Sequence, residues 1–294
     1  MTDDRNRHRP VLPTETLDLL APRSGEVWID ATTGLGGHSR LIAEQLAEGG
    51  QIICLDQDPA MLAIAKANLA GLPARFFHAN FDQFEAVLEE LRIDKIDGLL
   101  ADLGVCSAQL DDPVRGLSFQ RDGPLDMRLD PTNGQTAADL VNRLEEEELA
   151  NIIYQYGEER LSRRVARRIV EQRAIRHFET TTELAELVRR CVPRSPGQRI
   201  DPATRVFQAL RIAVNEELGV LENLLRILPR RIKPGGRVGI ISFHSLEDRI
   251  VKHAFAERET WNAVTRKPVQ ATEDESRDNP RSRSAKLRVV KRVP

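Results

Sequence analysis

The chain has 294 residues, a net charge of −2 and 40% hydrophobic residues, which suits one large domain or two ordinary ones around a real core. No apolar run is long enough to predict a membrane span, and Met1–His8 lacks the apolar core of a signal peptide. Cys54, Cys106 and Cys191 lie too far apart for a disulfide framework or for paired metal-ligand spacing, so no metal is expected and a reducing cytoplasm fits. Arginines number 36 against 7 lysines, with no lysine between Lys95 and Lys233. Arginine grips phosphate through two parallel hydrogen bonds, although a GC-rich genome produces the same bias.

The first hundred residues alternate strand and helix. Strands are expected at Glu26–Ala31, Gln51–Asp56, Ala74–Ala79 and Asp97–Asp102, and helices at Gly37–Ala47, Pro59–Leu69 and Asp82–Leu91. Asp58 caps the second helix and Pro59 starts it. This alternation predicts an α/β fold with a mainly parallel sheet covered on both faces. A long ordered loop then spans Asp112–Gly134. Helices follow at Ala137–Asn142, Glu145–Tyr156, Arg160–Arg173, Thr182–Cys191 and Pro202–Asn215. After the turn Lys233–Gly236, strand character returns at Arg237–Ser242, followed by a helix at Leu246–Glu257. Short strands at Ala263–Val269 and Ala285–Val293 flank a polar loop, Ala271–Arg283. The predicted organisation is a first core part at 1–110, an inserted all-helical domain at 111–215, and a second core part at 216–294.

Asp30–Ser39 (DATTGLGGHS) joins the first strand to the first helix, the opening of a nucleotide-binding βαβ unit. Glycines there let backbone approach a ligand closely, and the helix N-terminus offers free N–H groups. Asp56 ends the next strand about twenty residues on, where an acid can hold two ribose hydroxyls. Ser39 and Arg40 stand where a dinucleotide fingerprint has its third glycine. That favours a cofactor without a pyrophosphate, with S-adenosylmethionine the candidate.

Ligands of open α/β sheets bind beyond the carboxyl ends of the strands. Phe81 follows the third strand, where an aromatic can flank an adenine. Asp102 ends the fourth and can orient an amine, or cap a helix or pair with a cation. His244 follows the fifth and can position or deprotonate a nucleophile, or be structural; Ser245–Asp248 reads as a capping box for the following helix. Cys106 has no basic neighbour in sequence to activate a thiolate, and reads as a packing residue rather than the nucleophile of carbon-5 methylation.

In the expected insertion, Arg160, Arg163, Arg164, Arg167 and Arg168 share one helix face opposite Leu161, Val165, Ala166 and Ile169. RNA contact through Arg163 and Arg167 is one reading of that face, and plain solvation the other. Thr204, Gln208, Arg211 and Asn215 form a narrow stripe that could face a cleft and read a base or phosphate.

The order of several motifs resembles the bacterial 16S ribosomal RNA cytosine-N4 methyltransferase family, also called MraW. They are His8–Leu12, Gly36–Ser39, Asp102–Val105, Ser107–Asp111, Arg115-Gly116, Asp122–Arg128, Tyr156–Arg160, Pro202–Arg205, Phe207–Ile212, Ser242–Arg249 and Asn279–Arg281. The resemblance covers nearly the whole chain. It implies a class I S-adenosylmethionine-dependent methyltransferase, Rossmann-like, with the helical insertion after the fourth strand. It implies methylation of a cytosine amine, cytosine 1402 of 16S RNA, near the decoding centre of the small ribosomal subunit. By position it makes Gly36, Gly37, His38, Asp56, Phe81, Asp102 and Gln109 cofactor residues. Asp102 and His244 are the catalytic candidates; Arg163, Arg167, Thr204, Gln208, Arg211 and Asn215 are the substrate candidates. Cys106 departs from the family's usual serine and Leu117 from its usual phenylalanine. The acidic-or-amide Pro-Pro-aromatic signature of many amino-methyltransferases is absent after the fourth strand, so the N4 atom comes from the resemblance alone. The partners implied are 16S RNA and the small subunit, with no membrane and with a homodimer left open. The rival readings are an RNA-binding ribosome-assembly protein on the same fold, and a methyltransferase acting on DNA or on carbon 5.

Overall fold

A computed structural model describes residues 9–193 and 201–294; the expectations for Met1–His8 lie outside them. In chain order the elements are α1 (Pro13–Leu20), β1 (Val27–Asp30), α2 (Gly37–Leu46), β2 (Gln51–Asp56), α3 (Pro59–Asn68), β3 (Ala74–His78), α4 (Phe84–Glu90) and β4 (Ile96–Asp102). Then come α5 (Ser107–Asp111), α6 (Ala137–Arg143), α7 (Glu146–Gly157), α8 (Ser162–Arg173), α9 (Thr181–Cys191) and α10 (Ala203–Val214). The chain closes with α11 (Glu217–Arg231), β5 (Ile232–Ser242), α12 (Ser245–Ala254), β6 (Trp261–Ala263), α13 (Glu273–Asp278) and β7 (Lys286–Arg292).

Two compact units result. One comprises Met1–Gly104 and Leu218–Pro294, the other Val105–Glu217. The insertion therefore begins at Val105 rather than at residue 111, because Val105 and Leu110 pack against the helical unit's own core. Gln109 accordingly belongs to the insertion and not to the first part of the α/β unit.

The sheet runs β3-β2-β1-β4-β5-β7-β6. The first five strands are parallel, and β7 is antiparallel to both β5 and β6. The apolar strand runs follow from two-sided burial. Ile29, Ile53, Leu55, Leu99 and Ala101 point to the face covered by α4, α11 and α12. Trp28, Ile52, Cys54 and Leu100 point to the face covered by α1, α2 and α3. Strand order reverses between β1 and β4, which creates the crevice where open sheets take ligands.

The inserted unit has its own core. Leu149 and Ile153 of α7, Val165 and Ile169 of α8, Leu184 and Val188 of α9, and Val206 and Leu210 of α10 are all buried in it. Its long loop is ordered, as expected: the Arg115 guanidinium donates to the carbonyls of Arg128 and Leu129.

Several expected elements differ. α11, where no element is expected from the sequence, carries buried Val220, Leu221, Leu224, Leu225, Ile227 and Leu228, a stripe that ends just before Pro229 while the helix runs on to Arg231. α1 was also missed. The polar stretch 271–283, expected as loop, contains α13, started by a Thr272 cap onto the Glu275 N–H. β5 starts at Ile232, with a register irregularity between Ile96 and Gly98 of its partner, so Lys233–Gly236 is part of the strand rather than a turn before it. The strand expected over Ala263–Val269 is β6 at its start, then a single bridge from Val269 to Leu287.

Candidate active site

The parallel strands deliver their carboxyl ends to one edge. β1 ends in Asp30, β2 in Asp56 and β4 in Asp102, and His244 follows β5 directly after Phe243. Between β1 and α2 the chain turns on Gly34 and Gly36, at φ 54° and 86°. Gly36 has two reasons to be glycine: the left-handed backbone, and a side-chain position that would run into Leu69 Cδ1. At Gly37 a Cβ would come within 3.1 Å of the Pro10 ring. The close approaches at these glycines are thus to the chain's own α3 and N-terminal segment.

Asp56 ties this turn to β2. Its carboxylate accepts from the Gly34 N–H at 2.7 Å and from the Asp58 N–H at 2.8 Å. A carboxylate has about four lone-pair sites, so both oxygens can accept further donors. Burial pushes Asp56 up to about 6 against the two backbone hydrogen bonds that lower it. At the end of β3 next to it, the Ala79 N–H donates to the Asp56 carbonyl at 3.1 Å. Asn80 caps the short turn Phe81–Gln83, and its amide reaches the Gln57 side chain at 3.4 Å. Phe81 is half-buried against the core at this corner.

Asp30 is buried at 1% exposure. The Ser39 hydroxyl donates to it at 2.5 Å and the Thr32 N–H at 3.2 Å, so it holds both ends of the glycine turn. Burial pushes it up to about 6. Asp30 is a site residue with no role among the sequence expectations; its signal is an acid ending an apolar strand, followed nine residues on by a serine.

Asp102 ends β4, which pairs with β1 on the side away from β2. Its own N–H donates to Thr32 Oγ1 at 2.6 Å. Oδ2 lies 3.7 Å from Nε2 of buried His38. Oδ1 is buried and accepts no hydrogen bond among the described residues. Burial, then the negative charges of Asp30 and Glu247, hold Asp102 well above the usual carboxylate range.

His244 is the N-cap of α12. Its Nδ1 accepts from the Glu247 N–H at 3.4 Å, and Nε2 lies 3.2 Å from Glu247 Oε1. Glu247 Oε2 accepts from the Phe243 N–H at 2.8 Å. The expected capping box is therefore present one residue earlier than proposed, with His244 as the cap and Ser245 already in the helix. Glu247, buried at 2% exposure, was the missed member.

In the inserted unit, buried Gln109 closes the first turn of α5 by accepting from the Cys106 N–H at 3.0 Å. Cys106 is the N-cap there. The stripe on α10 is largely occupied by its own unit. Gln208 donates to the Tyr156 carbonyl at 3.1 Å. Arg211 makes a two-pronged pair with Glu217 at 2.7 and 2.8 Å. Asn215 accepts from the Leu129 N–H at 2.7 Å and donates to the carbonyls of Met127 and Arg211, both at 2.8 Å. These three bind α10 to neighbouring segments instead of forming a free reading face, while Thr204 is exposed. On α8, Arg163, Arg164, Arg167 and Arg168 are exposed while Val165, Ala166 and Ile169 are buried. Arg167 lies 3.7 Å from Glu146, and Arg168 pairs with Glu171 at 2.6 Å.

A family model described as the MraW methylase family matches residues 5–293. A Sorangium cellulosum protein named ribosomal RNA small subunit methyltransferase H is 52% identical over 289 residues, 98% of this chain and 91% of its own length. An Acaryochloris marina protein of the same name is 52% identical over 291 residues, covering 98% and 95%. A solved rRNA methylase from Streptococcus thermophilus aligns over 96% of this chain and 97% of its own, at 9% identity and a TM-score of 0.46. With the family model spanning both units and half the residues shared with these relatives, the chain belongs to the MraW methylase family.

Proposed function

We propose that the chain methylates the exocyclic N4 of a cytosine in the 16S RNA of the small ribosomal subunit, in the cytoplasm, with S-adenosylmethionine as donor. The observation that carries this reading is the set of acids at one sheet edge, with Asp102 Oδ1 buried and accepting no hydrogen bond among the described residues. A ligand bearing positive charge and amine donors fits that edge, since it relieves the mutual repulsion of buried carboxylates. S-adenosylmethionine has both, in its sulfonium and its α-ammonium. Asp56 would hold the ribose hydroxyls, Phe81 would flank the adenine, and Asp102, backed by His38, would take the ammonium end. Gly36 and Gly37 shape the turn beside them. When bound, the cofactor supplies an electrophilic methyl group.

The remaining work falls to the chain. A cytosine amine is a poor nucleophile because its lone pair is delocalised into the ring, so orientation supplies much of the acceleration. The target base leaves its stack to reach the site. Asp102, ionised beside the cofactor's cation, is also the group we assign to orienting the reacting amine. His244, engaged by Glu247, keeps the turn after β5 in place. Arg163, Arg167 and Thr204 are assigned to the RNA.

The test is incubation with labelled S-adenosylmethionine and small subunits lacking the modification, followed by nucleoside analysis. Label in N4-methylcytidine is expected. Label at carbon 5, or none, overturns the reading.

A further inference from the structure

We infer that the groove between α8 and α9 is a track for an RNA phosphodiester backbone; this rests on the reading of 16S RNA as substrate. Residues 160–191 hold nine arginines against four glutamates, within a chain of net charge −2. The structure divides the α8 arginines between two sides. Arg167 leans toward α7, where it meets Glu146. Arg164 and Arg168 turn the other way and line the groove with Glu171, Gln172, Ile175, Leu187, Arg190 and Cys191, three arginines against one glutamate. The hollow continues past Gln172, Leu187 and Arg190 to Arg176 and His177, where Glu183 and Glu186 also line it and Arg176 pairs with Glu183 at 3.2 Å, so the phosphate track is the stretch at Arg164, Arg168 and Arg190.

Arg164 has no acidic partner among the described residues. The Arg168–Glu171 and Arg190–Glu186 pairs are exposed on both sides, with the second at 3.3 Å. Exposed pairs of this kind are weak, so a phosphate can take over either guanidinium through two parallel hydrogen bonds. Arg164 and Arg168 are one helical turn apart, about 6 Å along the axis, and so present successive cations to a strand laid along the groove. Ile175, 83% exposed on the same lining, offers an apolar surface to a ribose or base. Dipole compensation at the end of α9 accounts for Arg189 and Arg190 but not for Arg164, in the first turn of α8, or Arg168, in its middle.

The test uses the full-length chain with Arg164→Glu and Arg190→Glu combined, unmodified 16S RNA and small subunits as separate probes, and binding measured across a salt series. RNA affinity at 0.1 M salt is expected to fall at least tenfold. The slope of log affinity against log salt should become shallower by about 1.4–1.8, the value for two lost phosphate contacts. An Arg258→Glu, Arg266→Glu double variant makes the same charge change on exposed residues of the α/β unit and is expected to keep the wild-type slope. If the glutamate pair misfolds, the Arg164→Gln, Arg190→Gln pair is expected to show the same change of slope. Wild-type affinity and slope in a folded variant overturn the groove alone. Unchanged affinity for free RNA with weakened binding to small subunits assigns the groove to a ribosomal protein, which also overturns it. A wild-type chain that neither binds nor methylates small subunits removes the functional reading, and the groove with it.

Discussion

Burial sets the working charge of Asp30 and Asp56, both pushed up to about 6. Because these carboxyls titrate higher in the fold than in an unfolded chain, their contribution to stability is full below about pH 4. It is lost as the pH rises through about 6. A cationic ligand acts in the opposite sense, since it favours the ionised carboxylates. Cofactor affinity is therefore expected to rise between pH 5 and pH 7 while the thermal stability contributed by these groups in the ligand-free chain falls. Calorimetric titration across that range checks the first, and a flat profile would remove the carboxyls from contact with the cofactor. At Cys106 the chemistry is simpler. It is an N-cap, a position serine fills well, so Cys106→Ser is expected to keep full methyl transfer and an unchanged Tm. Loss of transfer in the folded variant, or RNA trapped covalently at Cys106, would restore the carbon-5 mechanism. Asp56 and Asp102 were readable in advance because a strand end fixes where a side chain emerges. The partners of His244, Arg211 and Asn215 were not, because they depend on residues brought close only by folding.

At the scale of elements, regular periodicity was legible and punctuation misled. α8, α9 and α10 each carry an apolar stripe, and their buried residues follow it. α11 has the same stripe, yet no element is expected from the sequence between Asn215 and the turn expected at Lys233–Gly236. The helix continues for two residues past Pro229, which forfeits one backbone donor near its end instead of in its middle. Asn215, just beyond α10, does more for its unit than its sequence suggests. It binds the end of α10 to Met127 and Leu129, and Met127 holds a left-handed φ of 65°. Asn215→Ala strands the Leu129 N–H and the Met127 carbonyl, and an unsatisfied buried group costs about 1–3 kcal/mol. A lowered Tm is expected, with faster proteolysis within 112–134. A variant as stable and as resistant as wild type would show that the loop orders itself without this anchor.

The whole molecule places two kinds of charge in two units. The α/β unit gathers Asp30, Asp56, Asp102 and Glu247 at one end of its sheet, and the inserted unit concentrates arginine on α8 and α9. Alternating strands and helices made the first unit legible as a parallel sheet, and the loss of alternation after β4 made the second legible as an insertion. The boundary came out six residues late because α5 is short and polar, and only packing assigns it. This separation of charge implies separable ligands. Asp56→Ala removes the acceptors proposed for the ribose hydroxyls, each charge-assisted hydrogen bond being worth roughly 1.5–3 kcal/mol, so S-adenosylmethionine affinity is expected to fall tenfold or more. RNA affinity and its salt dependence should stay as in wild type, since no phosphate contact is lost. The combined Arg163→Glu, Arg167→Glu variant should do the reverse, weakening RNA binding, flattening its salt dependence and leaving cofactor affinity within twofold. Calorimetry for the cofactor and a salt series for 16S RNA, run on both variants, give four numbers. If Asp56→Ala also weakens RNA binding, or if the arginine reversals also weaken cofactor binding, with the fold intact in each case, the two ligands do not bind through separate charge sets.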